Sequence, residues 1–270
     1  MGTIRIGCQT YTWEMLGDDW RGSVDEILDI ISAAGYQGVE ITNTMIGEYY
    51  DDPDGFARAL DQRKLVFASF GFVPKKSFTD PSCFVEEIKL ARKGLEFVSN
   101  FPECRLDLAG GSSSNRNDFD EKFETMCRMY NEIGALGDGK GVSVDFHPHS
   151  HAGSIIESEE EYARVMECTD ASIIGWCPDS GHIVRGGIDF YETVSRYQDR
   201  IKNFHFKDVD RSGAWKLMGE GTCDYPRVLK LLEEIGYDGW VIAEEESEEA
   251  RMDPQSAVSR NRKYLSSLGY

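Results

Sequence analysis

Several features that would point directly to a function are missing from this chain. There is no C-x-x-C pair: Cys8, Cys83, Cys104, Cys127, Cys168, Cys177 and Cys223 are scattered, and an odd number of cysteines cannot close into a complete disulfide framework. They are expected to be reduced thiols in a cytoplasmic protein. No apolar run approaches the roughly 18 residues of a membrane span, and Met1 leads into the strand-like TIRIGCQTY without a basic and then apolar leader. The chain is therefore expected to be soluble, unexported and without a membrane partner. Positive charge is scarce: 29 Lys and Arg stand against 48 Asp and Glu, a formal charge of −19. A field of that sign repels phosphate backbones, so nucleic acid is not an expected partner. Histidine is absent from the first half of the chain. No low-complexity linker or short repeat divides the sequence, and residues 1–270 are read as one domain, long enough to bury a core unaided.

What is present is a regular alternation. Short apolar or alternating runs occur at Ile4–Gln9, Gly38–Thr42, Leu65–Phe70, Arg105–Ala109, Val142–His147, Ile173–Cys177, Lys202–Phe206 and Trp240–Glu244. Between them lie helical stretches: Ser23–Ala34, Pro53–Gln62, Pro81–Ser99, Asp118–Leu136, Ser158–Cys168, Phe190–Tyr197 and Tyr225–Ile235. A last helix follows at about Asp253–Leu268. Several open on Asp, Ser or Pro, and Gly35, Gly134 and Gly236 are placed at helix C-termini. Strict strand–helix alternation produces parallel sheets, and eight units in about 250 residues is the count at which such a sheet closes. The expected fold is an α/β, single-domain (β/α)8 TIM barrel, with an open doubly wound sheet as the alternative.

The five histidines, His147, His149, His151, His182 and His205, all fall at or just past the ends of expected strands, the rim where barrels of this kind build active sites. In GVSVDFHPHSH a period of two puts Asp145 and His147 on one face. Asp179 closes the sixth strand, with Gly181 turning the backbone toward His182. His205 and Lys207 share a face of the seventh strand, and a charged Lys beside a His is difficult to explain as core. Glu244 follows four apolar residues, and Glu246 repeats its orientation. Each taken alone has an ordinary reading as a turn, cap or solvated acidic loop. Together Asp145, Asp179, His205 and Glu244 offer three carboxylates and an imidazole, a set suited to one divalent ion, Mn²⁺ first, with Mg²⁺, Co²⁺ or Zn²⁺ compatible. Trp13, Tyr11 and Phe72 follow strands one and three and are candidates to stack on a sugar face. Lys75 and Lys76 are weighed as a phosphate site against a solvated loop.

The segments QTYTW, GYQGVE, FHPH, DSGH, HFKD, GEG and GWVIAEE resemble the xylose isomerase-like barrels, a superfamily of sugar isomerases, epimerases and inosose dehydratases. The resemblance spans nearly the whole chain. It implies a metal quartet at Asp145 (with His147 competing), Asp179, His205 and Glu244, and places His182, Lys207 and Glu40 near substrate. His149, Glu246 and Trp13 complete the expected binding set, with Glu244, Lys207 and His147 as the expected proton carriers. Many epimerases of the group carry Glu on strand five, where this chain has Asp145 and then His147. The HPH loop, DSGH, HFKD and the GW…E.E ending look most like inosose dehydratases. Endonuclease IV shares the fold but gathers histidines from early strands, which this chain lacks.

The expected activity is therefore a metal-dependent sugar isomerase or epimerase that removes the proton α to the carbonyl of a ketose. An inosose dehydratase-type lyase is the alternative, and a non-catalytic sugar-binding barrel or an abasic-site endonuclease ranks lower. The expected partner is a small sugar or cyclitol, and a homo-oligomer is left open.

Overall fold

In a computed structural model, which describes residues 3–270, the parallel strands are β1 (Arg5–Gln9), β2 (Gly38–Thr42), β3 (Val66–Phe72), β4 (Arg105–Ala109), β5 (Val144–His147), β6 (Ile174–Trp176), β7 (Phe204–Phe206) and β8 (Trp240–Ala243). Their order in the sheet is β6-β5-β4-β3-β2-β1-β8-β7. Isolated parallel bridges, Trp176 with Ile201 and Asp179 with His205, join the two outer strands and close the ring. The fold is the expected TIM barrel.

Local sequence explains the helices that surround it. Ser23 and Glu26 form a reciprocal capping box before Val24–Ala34, and Ser158 and Glu161 form another before Glu159–Cys168. Asp52, Asp224 and Asp253 cap helices that carry Pro in the first turn. Gly35 ends its helix at φ 91°, a left-handed conformation that suits a residue without Cβ. Gly134 corrects the expectation: it lies inside Phe119–Asp138, where a Cβ would come within 2.6 Å of Ile174 Cδ1, so close packing of helix on strand accounts for it.

Among the elements that escaped the periodicity, two lie beside the sixth and seventh strands. The segment read as a turn after Asp179 is a short helix, Ser180–Arg185, and a two-stranded ribbon, Asp208–Val209 with Trp215–Lys216, follows β7. Gly181 lies within that helix; its role is close approach, since a Cβ would meet the Lys207 carbonyl oxygen at 2.9 Å and Trp215 at 3.0 Å. Cys127 and Cys168, 41 residues apart, are disulfide-linked with Cα atoms 5.9 Å apart, which corrects the expectation of seven reduced thiols. The ring of outer helices brings the pair together. Among the described residues, no helix is long and apolar enough to cross a membrane.

The interior of the barrel positions the site. Ala68, Trp240 and Ile242 fill its lower part, and Gly7 and Gly38 leave the room they occupy: a Cβ there would lie 2.6 Å from Ile242 and 2.7 Å from Trp240. Above this plug the inward-facing positions turn polar. Gln9, Glu40, Asp107, Asp145, His147, Asp179, His205, Lys207 and Glu244 are all buried. Burying so many polar groups is costly unless they satisfy one another or a bound ligand.

Candidate metal centre and active site

The ends of β5 to β8 converge on one point. His147, Asp179, His205 and Glu244 each place a donor atom within 4.8 Å of the others, and all four are buried. Two of the donors have no hydrogen-bond partner: Nε2 of His147 and Oδ2 of Asp179, which lie 3.7 Å apart. Asp179 is held by its other oxygen, which accepts the His182 backbone N–H at 2.7 Å as the cap of Ser180–Arg185. One oxygen thus serves as the cap, which leaves the other available as a donor. Buried orphan donors in an N/O set of this kind fit a divalent ion.

Asp145 does not join them, and the geometry corrects the strand-five position. Its carboxylate lies one inward step deeper and is engaged by both Nε and Nη2 of Arg105, the latter at 2.7 Å. With a cation already paired to it, Asp145 has no free oxygen to turn toward the quartet, whereas His147, two residues on, has a free Nε2.

Outer partners orient these donors. His205 sits between Glu244 (Nδ1 to Oε2, 2.7 Å) and Glu40 (Nε2 to Oε2, 3.0 Å), and Glu40 in turn accepts from Gln9 Nε2 at 2.6 Å. Glu40 therefore acts on His205 as well as lining the cavity. Lys207 donates to Glu244 at 2.9 Å and pairs with Glu246, and its Nζ lies 3.1 Å from Nε2 of His182. The Ser150 backbone N–H donates to Nδ1 of His182 at 2.9 Å, which fixes that ring. His149 accepts from the Gly110 N–H at 3.3 Å and faces the same cavity.

The electrostatics follow from this crowding. Burial, aided by Glu244 and opposed by Lys207, pushes the Asp179 carboxyl up to about 7. Burial and the neighbouring His205 take His147 down to about 3, leaving it a neutral imidazole with a free lone pair. Burial works against the Lys207 ammonium, but Glu244, Glu246 and Asp179 outweigh it and hold the pKa above the ordinary value. Burial also opposes charge on Glu244, and Lys207 and His205 overcome it, keeping that group a carboxylate.

The cavity over these groups has a volume of about 520 Å³ and is lined also by Tyr11, Phe72, Trp215 and Arg185. A shallower groove of about 630 Å³ beside it shares Lys76 and Ser112 but carries none of the converging donors. Trp13 is not on the cavity: it is fully buried in the core against Trp20, correcting its expected place at the substrate. Lys75 and Lys76 each stand 3.4 Å from Glu86, the arrangement of a solvated loop. Gln9, Asp107 and Trp215 were missed. For Gln9 and Asp107 the signal was present, since RIGCQ and RLDLA each put a polar residue on the inward face of a strand. Trp215 comes from a ribbon with no periodic signature.

A family profile, xylose isomerase-like TIM barrel, matches residues 28–268. An inosose dehydratase of Lacticaseibacillus casei is 28% identical over 97% of this chain and 96% of its own length. Among solved structures, an IOLI protein with a bound zinc atom superposes with a TM-score of 0.81 at 16% identity, covering 98% of this chain and 97% of that one. A D-psicose 3-epimerase from Clostridium cellulolyticum H10, solved with D-tagatose, gives 0.79 at 14% identity, covering 98% of each chain. Matched over most of its length by that profile, the chain belongs to the xylose isomerase-like TIM barrel family.

Proposed function

We propose that this protein is a divalent-metal-dependent lyase that removes water from a cyclic keto-polyol of the inosose type. The observation that carries the reading is the strand-five member of the quartet: it is an imidazole, His147, so β5 brings no carboxylate to pair with Glu244 as a second proton carrier. This reverses the order expected from sequence, where isomerisation or epimerisation came first. The 28% identical relative, matched over almost its full length, is an inosose dehydratase, which supports the same choice.

His147, Asp179, His205 and Glu244 would hold the ion, Mn²⁺ being our choice for a set of two imidazoles and two carboxylates. When bound, such an ion polarises a substrate carbonyl and makes the adjacent C–H more acidic. Glu244, kept ionised by its neighbours, takes the α-proton. Lys207 carries the complementary proton: its ammonium, anchored by Glu244 and Glu246, delivers H⁺ to the departing β-hydroxyl, which leaves as water. The C–O bonding pair goes to that oxygen, and the C–H pair becomes the new C=C. His182 and Ser150 keep Nζ of Lys207 from swinging away. Tyr11 and Phe72 offer apolar surface to the ring C–H groups.

Epimerisation shares the first proton removal but needs a carrier on the opposite face, where β5 presents the imidazole of His147 in place of a carboxylate. The test is incubation of the Mn²⁺-loaded protein in D₂O with an inosose and, separately, with a panel of ketoses. Enone absorbance with loss of water supports the lyase. Deuterium in recovered sugar without loss of water replaces it with the epimerase. Binding without either change makes the chain a sugar-binding barrel.

A further inference from the structure

A second cluster of donors lies beneath the quartet. Asp107 on β4, Cys177 just after β6 and His205 on β7 bring a carboxylate oxygen, a thiol sulfur and an imidazole nitrogen within 4.8 Å of one another. All three are buried, at 2%, 0% and 0% exposure. Each strand's period of two explains the placement. Asp107 is level with Asp145, one inward step below Ala109 and its partner His147, and Cys177 is one inward step below Asp179. Both oxygens of Asp107 are buried and have no hydrogen-bond partner, which leaves them free to meet a cation. His205 gives Nδ1 to Glu244 at 2.7 Å, while its Nε2, bonded to Glu40 at 3.0 Å, also stands 3.7 Å from Asp107, so its two nitrogens look toward two different sites. Asp107 lines the wall of the cavity, which provides a route in from the mouth.

We propose that Asp107, Cys177 and His205 form a second, deeper cation site of zinc type, distinct from the quartet in containing a thiolate. One sulfur, one nitrogen and one oxygen are a usual tetrahedral zinc set with the fourth position left to water, whereas Mg²⁺ and Mn²⁺ prefer oxygen-rich surroundings. As the S–metal bond forms, the incoming cation displaces the Cys177 thiol proton to solvent. Because His205 belongs to both sets, occupancy below draws an imidazole away from the quartet. Zinc therefore acts as an inhibitor of the manganese-loaded protein.

Cobalt(II) chloride titrated into metal-free protein reads this site without reference to turnover, since the quartet contains no sulfur. A near-ultraviolet thiolate-to-cobalt charge-transfer band is expected in the wild type and in Asp179→Ala, where the quartet is broken. Cys177→Ser abolishes the band, and Asp107→Asn weakens cobalt affinity at it by roughly 10-fold or more. No band at saturating cobalt, or a band that survives Cys177→Ser, overturns the proposal. Should Cys177→Ser fail to fold, Asp107→Asn decides: unchanged affinity at the band overturns it equally.

Discussion

Replacing Arg105 by Met tests which strand-five side chain is held in an ion pair and which is free to meet a metal. Asp145 is fully buried, and its two oxygens are engaged by one guanidinium, with Nη2 2.7 Å from Oδ1. At that separation and an effective dielectric near 20, the Coulomb attraction is about 6 kcal/mol, much of it offset by desolvation. Removing one partner of a buried pair leaves the other charge uncompensated and costs about 3–5 kcal/mol. The Arg105 side chain retains 20% of its surface in water, which puts the expected loss at the lower end, about 3 kcal/mol. For a chain of this size that lowers Tm by about 6–12 °C in differential scanning calorimetry. Replacing both partners, Arg105→Met with Asp145→Leu, restores most of it, because no charge is then buried alone. Asp145→Asn retains stoichiometric Mn²⁺ by elemental analysis, whereas His147→Ala loses at least about 100-fold in affinity. An unchanged Tm in Arg105→Met, or loss of metal from Asp145→Asn, would refute the assignment of Asp145 to the ion pair and His147 to the metal.

Gly175→Ala is expected to destabilise by about 1–3 kcal/mol, read from denaturant midpoints, since a Cβ there would lie 2.0 Å from Oδ1 of Asp145 and 2.6 Å from Lys202 Cγ. Lys207→Met should lower kcat by about 10²–10⁴ while the protein still binds one metal per chain; a wild-type rate would remove Lys207 from the proton transfer. Asp179, raised to about 7, sets the pH dependence. Between its unfolded value near 4 and about 7 the native metal-free protein holds a proton that the unfolded chain has released, so this group's stabilisation is present at low pH and lost as pH rises through about 7. Metal competes for the same oxygen, so Mn²⁺ affinity by titration calorimetry should climb by up to about tenfold per pH unit as pH rises toward 7. A flat profile over that window would contradict the role of Asp179.

Much of the architecture was legible locally. The strands were found within two residues of their observed ends, because alternation of period two and apolar runs report half-buried and buried strands directly. Capping boxes at Ser23 and Ser158 marked helix starts for the same local reason. That Asp179, His205 and Glu244 converge was legible because each is a polar group at the end of an apolar strand. Asp145 and His147 were not separable, since they share a strand face and differ by one inward step. Arg105, which decides between them, lies 40 residues away in sequence. Trp13 misled because an aromatic after a strand has the same local pattern whether it turns into the cavity or into the core.

The sequence by itself determined the parallel barrel, the rim on which the chemistry collects and the family to which the motifs point, all properties of periodicity and short spacing. Only the tertiary structure decided which polar groups neutralise one another and which are left free. Arg105 reaches Asp145, Lys207 reaches Glu244 and Glu246, and Cys127 reaches Cys168, while His147 and Asp179 keep unpartnered atoms facing each other. Closing the sheet brings strands distant in sequence to within hydrogen-bond reach, and pairing energies of that range depend on separation in space, which no local pattern records.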